Sequence, residues 1–413
     1  MGVRVLKGQV VTPVRHISHA RPFETTLAGE ALPGRWPYSS RLGLVLSGGG
    51  ARGAYQVGVV AALAERLPGL EFPILAGMSA GAINTAWLAA HPGPLAVSVT
   101  GLTAAWRRLT TDQVYRLRPT RLTRSALRWL WQGVTQQKRG PATVRGLVDT
   151  QPLREFLEGC LTLGGIDRNL AARRLRAVAL TAVSYATGRA VTFVQGGPNT
   201  ALWERHDRVA VRAQLTVDHI MASAAVPIVF PAIQMGEEFY GDGGIGAVAP
   251  LAAAIHLGAR GIVAISTAAP GTAPPVEVHP YPSVAEVTGL LFRAIFVDAL
   301  EADAARLERL NRLLAALPEG APAADGLRPV ELLMIRPSQS LSQLAVGRDR
   351  LLPPAIRQIV QAFGGGRSNA SEFLAYLLFH PEYTTTLAEL GYQDVGAQWP
   401  VIERFFERLE RRS

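Results

Sequence analysis

At 413 residues, 48% hydrophobic and 18% charged, the chain has the composition of a large globular core, and disordered and fibrous classes are excluded. A single cysteine, Cys160, rules out an internal disulfide framework and reads as a small packed side chain rather than a nucleophile. The 42 basic against 32 acidic residues leave a net charge of +10, which suits nucleic acid, an anionic membrane surface, or plain solubility.

Residues 1–40 are basic, contain proline and lack sustained periodicity, so they read as an N-terminal extension. Arg4 and Lys7 interrupt the start and no apolar stretch follows, so no secretory leader is expected. No membrane span is expected either. The uncharged stretch 72–106 is broken by Gly77, Ser79, Gly81, Asn84 and the cluster from His91 to Pro94.

Residues 41–46 form a buried-strand pattern that runs into Ser47-Gly48-Gly49-Gly50-Ala51-Arg52-Gly53. A helix follows, with Val59, Val60, Leu63 and Leu67 at helical spacing and a stop at Pro68-Gly69. Glycines between a strand and a helix leave backbone N–H groups free to attract an anion. A Walker-type loop is excluded, because Ala54-Tyr55 stand where Lys and Ser/Thr are required. Gly48, Gly50 and Gly53 match a dinucleotide fingerprint, yet Glu71 lies before the next strand, whereas a ribose-binding acid belongs after it. The third anion that fits is the oxyanion of an acyl intermediate, if a nucleophile stands nearby.

The next apolar run, 72–76, leads into Gly77-Met78-Ser79-Ala80-Gly81 and then a small-residue helix to Ala90. Strand, G-x-S-x-G and helix in that order are the sequence form of a nucleophile elbow, or else of an ordinary glycine-rich strand-to-helix turn. Two neighbouring strand ends would then carry the donors and the serine. Residues 100–145 are rich in arginine and tryptophan, with Asp112 the only acid. That composition suits an anionic lipid surface or a phosphate backbone, or else a solvated basic face with core tryptophans.

An amphipathic helix restarts at Asp149-Thr150-Gln151, residues 176–183 and 190–194 read as a strand pair, and 217–225 as a short helix. A small hairpin, 233–240, delivers Gly241-Asp242-Gly243-Gly244. A carboxylate in a glycine turn is usually a turn former, but after a nucleophile elbow Asp242 becomes the leading candidate for the base. His91, His206, His219, His256, His279 and His380 are the rivals, and none sits in a recognisable catalytic loop.

Together these pieces resemble the patatin-like phospholipases, a family of serine acyl hydrolases. The resemblance rests on Gly48 to Gly53, Gly77 to Gly81, Ala222-Ser223-Ala224-Ala225-Val226-Pro227 with Phe230-Pro231, and Asp242-Gly243-Gly244, in the family's order over roughly residues 41–270. It implies an α/β protein with a three-layer α/β/α fold and a mostly parallel central sheet. It also implies a Ser79–Asp242 dyad and an oxyanion hole from the glycine loop with Arg52 nearby, and no metal or cofactor. Gly48, Gly49, Gly50, Arg52 and Ala80 are the candidate oxyanion residues. The expected activity is that of a phospholipase A or lysophospholipase acting on a lipid acyl ester, in the cytoplasm or at its membrane surface. Contact with anionic lipid would run through residues 100–145, and no nucleic acid is expected. A catalytically silent lipid-binding or scaffolding protein and a dinucleotide-dependent oxidoreductase are the competing readings. One departure is Ala247, where members often carry asparagine.

Further on, 261–265 reads as a buried strand, 284–314 as a long helix and 332–335 as an edge strand; residues 354–412 are mostly helical. The expected division is an extension over 1–40, a catalytic region over 41–340 and a C-terminal helical region over 341–413, packed over the core or restricting access to it.

Overall fold

The computed structural model describes residues 41–117, 146–246, 249–269, 298–318, 327–362 and 368–411. The chain runs β1 (Leu42–Leu46), α1 (Gly53–Arg66), β2 (Ile74–Met78), α2 (Ala80–Ala90), α3 (Leu95–Arg108), α4 (Thr111–Val114) and β3 (Arg116–Leu117). After the first internal gap come β4 (Val148–Asp149), α5 (Gln151–Cys160), α6 (Gly165–Ala171), β5 (Ala177–Ser184), β6 (Ala190–Gly196), β7 (Arg208–Arg212) and α7 (Val217–Ser223). Then follow β8 (Ile233–Met235), β9 (Glu238–Asp242), α8 (Ala252–His256), β10 (Gly261–Ile265), α9 (Asp298–Ala315) and β11 (Glu331–Ile335). Four helices close the chain: α10 (Pro354–Ala362), α11 (Ser368–Leu377), α12 (Pro381–Ala397) and α13 (Trp399–Arg411).

The sheet order is β11-β10-β1-β2-β5-β6-β7, with β9 on β5 and β8 on β9. From β11 to β5 every pairing is parallel; β6 and β9 run antiparallel to β5. Strands β1, β2 and β10 are buried along their whole length, which is why they read as unbroken apolar runs rather than alternating ones. Helices α1 to α3 and the C-terminal helices share one apolar cluster on one face of the sheet. Helices α8 and α9 build the other. The fold is a mixed, mostly parallel sheet between helical layers, with the C-terminal helices packed into the first.

That packing is close. Helix α12 crosses α1 with backbone against backbone: a Cβ on Gly58 would stand 1.8 Å from Ala388 O, and one on Gly391 would stand 2.2 Å from Tyr55 O. Tyr55 Oη donates to Asp394 Oδ2 at 3.0 Å, tying the crossing with a buried hydrogen bond.

Several expectations shift. The helix expected over 217–225 ends at Ser223, and a short helix, Ala252–His256, carries His256. The interfacial reading fails for Trp106: it is 4% exposed in the core, where its indole N–H donates to Asn84 Oδ1 at 2.8 Å and satisfies the one polar group that would draw the ring outward. Most of the Arg/Trp segment, 118–145, together with 1–40, Ala247 and 284–297, lies outside the described residues. Among the described residues, no helix is long and apolar enough to cross a membrane.

Candidate active site

Strand β5 brings Ser79 and Asp242 together. Along one edge, Met78 pairs with Thr181 and Asp242 pairs with Ala182, the next residue along. Strand β2 therefore ends, and β9 ends from the opposite direction, at adjacent positions of the same strand. The residue after Met78 is Ser79, so the hydroxyl and the carboxylate meet head to head. The sequence separates them by 163 positions, and the register removes that distance.

Ser79 has φ 54° and ψ −130°, a conformation that side chains rarely adopt and that functional sites retain at a cost of about 1–3 kcal/mol. The flanking glycines are required by space. A Cβ on Gly77 would stand 2.3 Å from Thr85 Oγ1, and one on Gly81 would stand 2.2 Å from Leu46 O. Ser223, from the Ala222–Pro227 motif, locks the elbow from the side. It accepts from Ser79 N–H at 3.0 Å and donates to Thr181 O at 2.6 Å. Two residues later Ala225 O accepts from Asp242 N–H at 2.9 Å. One short motif thus holds both members of the pair, a role that the sequence carried without naming.

Asp242 is fully buried. Its Oδ1 accepts from Gly244 N–H at 2.8 Å, and Oδ2 has no hydrogen bond of regular geometry among the described residues. Burial pushes the carboxyl up to about 7, against smaller pulls from the Ser79 side chain and Gly244 N–H that favour the ionised form. A carboxyl with one oxygen fixed and the other uncommitted, poised near neutrality, is equipped to take a proton.

The glycine loop lies beside them. Gly48 O accepts from Thr267 Oγ1 at 3.0 Å, and Gly49 O accepts from Arg52 N–H at 3.1 Å and from Arg52 Nε at 3.4 Å. In a trans peptide the N–H points opposite to the preceding carbonyl, so these bonds turn the N–H groups of Gly49 and Gly50 to the other side. Gly50, Ser79 and Ala80 line one cavity. Arg52 does not line it: its guanidinium stands on the carbonyl side of the loop, 2% exposed, bonded to Glu372 Oε2 at 2.8 Å and 4.2 Å above the Tyr376 ring. Tyr376 O lies 2.3 Å from where a Cβ of Gly50 would stand. Helix α11 therefore braces the loop from outside the stretch that carries the motifs.

The cavity walls are apolar, among them Ile83, Trp87, Leu102, Leu157, Phe230 and Phe379. Ala80, Ile83 and Trp87 share one face of α2, so the space follows that helix for roughly 12 Å from Ser79.

Four of the six rival histidines are placed elsewhere, and His279 lies outside the described residues. His256 stacks on Trp203 at 4.7 Å, His219 packs edge-on against Phe193, and His380 caps α12 by accepting from Glu382 N–H. His91 lines a different cavity. Cys160 is half-buried, and burial pushes its thiol up to about 11, leaving no thiolate nucleophile at neutral pH. Among the described residues no three His, Cys, Asp or Glu side chains group to hold a metal ion.

A family model described as patatin-like phospholipase matches residues 44–255. No curated protein matches the sequence significantly. Among solved structures, VipD from Legionella pneumophila is 12% identical, with a TM-score of 0.29 over 85% of this chain and 67% of that one. Human GIVD cytosolic phospholipase A2, in complex with methyl gamma-linolenyl fluorophosphonate, is 13% identical with a TM-score of 0.44; 90% of this chain covers 60% of that one. The ExoU–SpcU complex of Pseudomonas aeruginosa is 18% identical with a TM-score of 0.26, over 81% and 69%.

Proposed function

The chain belongs to the patatin-like phospholipase family, and from that premise we propose that Ser79 and Asp242 are the dyad with which it hydrolyses a lipid acyl ester. Membership makes it a lipid acyl hydrolase. The dyad rests on one observation above the others: β5 pairs Met78, the residue before the serine, with Thr181 and Asp242 with the adjacent Ala182.

In this reading Ser79 Oγ attacks the acyl carbonyl carbon and Asp242 Oδ2 takes its proton. The N–H groups of Gly49, Gly50 and Ala80 hold the oxyanion, while Arg52 keeps the loop rigid from behind. The alcohol leaves with the proton from Asp242, and water then releases the fatty acid from Ser79. The apolar space along α2 takes one acyl chain, which fits a phospholipase A or lysophospholipase. A fluorophosphonate probe should label the protein and Ser79→Ala should not be labelled, with ester hydrolysis falling by several orders of magnitude. Hydrolysis retained by Ser79→Ala would sink the assignment.

Contact with an anionic membrane through residues 100–145 belongs to the same proposal. Strands β3 and β4 pair, Leu117 against Val148, so the Arg/Trp stretch leaves and rejoins the fold at one point, close in sequence to Val114 and Leu153 of the cavity wall. Sedimentation with anionic vesicles should be strong at low salt and fade as salt rises. No association at low salt defeats this part.

A further inference from the structure

Helices α1, α2 and α3 each send one buried polar side chain to a common point: Gln56, Asn84 and Trp106. Trp106 Nε1–H donates to Asn84 Oδ1 at 2.8 Å. Asn84 Nδ2 donates to Gly53 O and to Gln56 Oε1, both at 3.1 Å, and Gln56 Nε2 donates to Ser47 O at 2.7 Å. Gln56 and Asn84 are 0% and 1% exposed, so water does not compete for these bonds.

The two ends set the direction of the relay. An indole N–H only donates and a backbone carbonyl only accepts, which turns Asn84 Oδ1 towards Trp106 and the amide nitrogens of Asn84 and Gln56 towards the glycine loop. Every bond then runs the same way, from Trp106 to Ser47, and each polarises the next.

Ser47 precedes the first glycine of the loop and Gly53 closes it. Asn84 thus holds the exit of the loop directly and its entry through Gln56. Between them, Gly48 O and Gly49 O are held by Thr267 and Arg52. Those two bonds aim the donors proposed for the oxyanion, and the relay fixes the ends about which the loop would swing. At its other end Trp106 lines the Ser79 cavity, and its ring lies 3.2 Å from where a Cβ of Gly53 would stand. We propose that Asn84 is a positioning residue for acyl transfer, clasping both ends of the glycine loop so that its N–H groups meet the oxyanion. The proposal rests on the roles given above to Ser79 and the loop. Asn84 itself does not line the cavity, so its effect on the ester runs through the loop.

Asn84→Ala would orphan an indole, a carbonyl and an amide at once and test the fold as much as the chemistry, so each end of the relay is changed instead. Gln56→Met drops the bond to Ser47 O at similar volume, and Trp106→Phe keeps a ring at the wall without the indole donor. With p-nitrophenyl acetate and p-nitrophenyl octanoate, each variant should lower kcat about tenfold for both esters with KM little changed, because misplaced donors weaken only the transition state. The double variant should lose less than the product of the two, as coupled members of one network do. If Trp106 served only as cavity wall, its variant would raise KM for the octanoate and leave the acetate unchanged. That pattern, an intact kcat in Gln56→Met with only the melting temperature lowered, or losses that multiply in the double variant, overturns the proposal. Fluorophosphonate labelling of the wild type separates the two levels. An unlabelled wild type removes the Ser79 reading and the clasp with it, whereas a labelled wild type with any of those outcomes removes the role of Asn84 alone.

Discussion

Burial holds the Asp242 carboxyl near pH 7, so at neutral pH it is divided between a form that can accept a proton and one that cannot. Two consequences follow with opposite signs. With Asp242 as the proposed base, activity needs the carboxylate, so kcat/KM should fall about tenfold per pH unit below 7. A plateau reaching down to pH 5 would exclude Asp242 as the base. Stability moves the other way. The folded pKa lies above the unfolded value of about 3.9, so folding favours the protonated form; that contribution is complete below pH 4 and is lost as pH rises to 7. Asp242→Asn can keep the bond from Gly244 N–H and removes the buried charge. Above pH 7 it should be more stable than the wild type by up to roughly 4 kcal/mol, with the gap closing towards pH 4 in parallel denaturant titrations. At this scale the sequence was informative because each reactive residue sits in a local glycine motif. Ser223 and Ala225 were visible only as part of a motif, since their partners, Ser79, Thr181 and Asp242, lie up to 144 positions away.

Helix α11 supplies the glycine loop with a support that no local pattern announces. Arg52 is 2% exposed, and Glu372, 320 positions on, is its salt-bridge partner, itself bonded at Oε1 by Ser342 Oγ at 2.6 Å. Removing the charge of Glu372 would leave a buried guanidinium uncompensated, a loss on the order of 3–5 kcal/mol for a broken buried pair. Because the same guanidinium holds Gly49 O, the loss should reach the donors. Glu372→Gln should lower kcat by up to about 10², with KM little changed, and Glu372→Asp should recover part of it. A variant that is only less stable, with kcat intact, would show that α11 merely packs on the loop. Sequence reasoning placed Arg52 near the oxyanion hole; the fold turns its side chain to the carbonyl face. Elements with strong apolar runs, such as β1, β2 and β10, were legible, whereas β3, β4 and β7 are short or half-exposed and carry little periodicity to read.

Across the whole molecule, the residues proposed to carry the chemistry precede those that complete their support. Asp242 is made roughly 150 residues before Gly391, whose backbone rests on α1. At about 5–20 residues per second, translation takes roughly 7–30 s to cover that interval. During it, a nascent chain holds Ser79 and Asp242 while the helix that follows the glycine loop lacks its partner. Chains stalled before Pro381 should not react with a fluorophosphonate, although both Ser79 and Asp242 are present in them; reaction of such chains would show that α12 comes too late to matter. On that expectation, the close crossing of α1 and α12, where Gly58 faces Ala388 and Gly391 faces Tyr55, would hold back acyl hydrolysis beside the ribosome until synthesis is nearly finished.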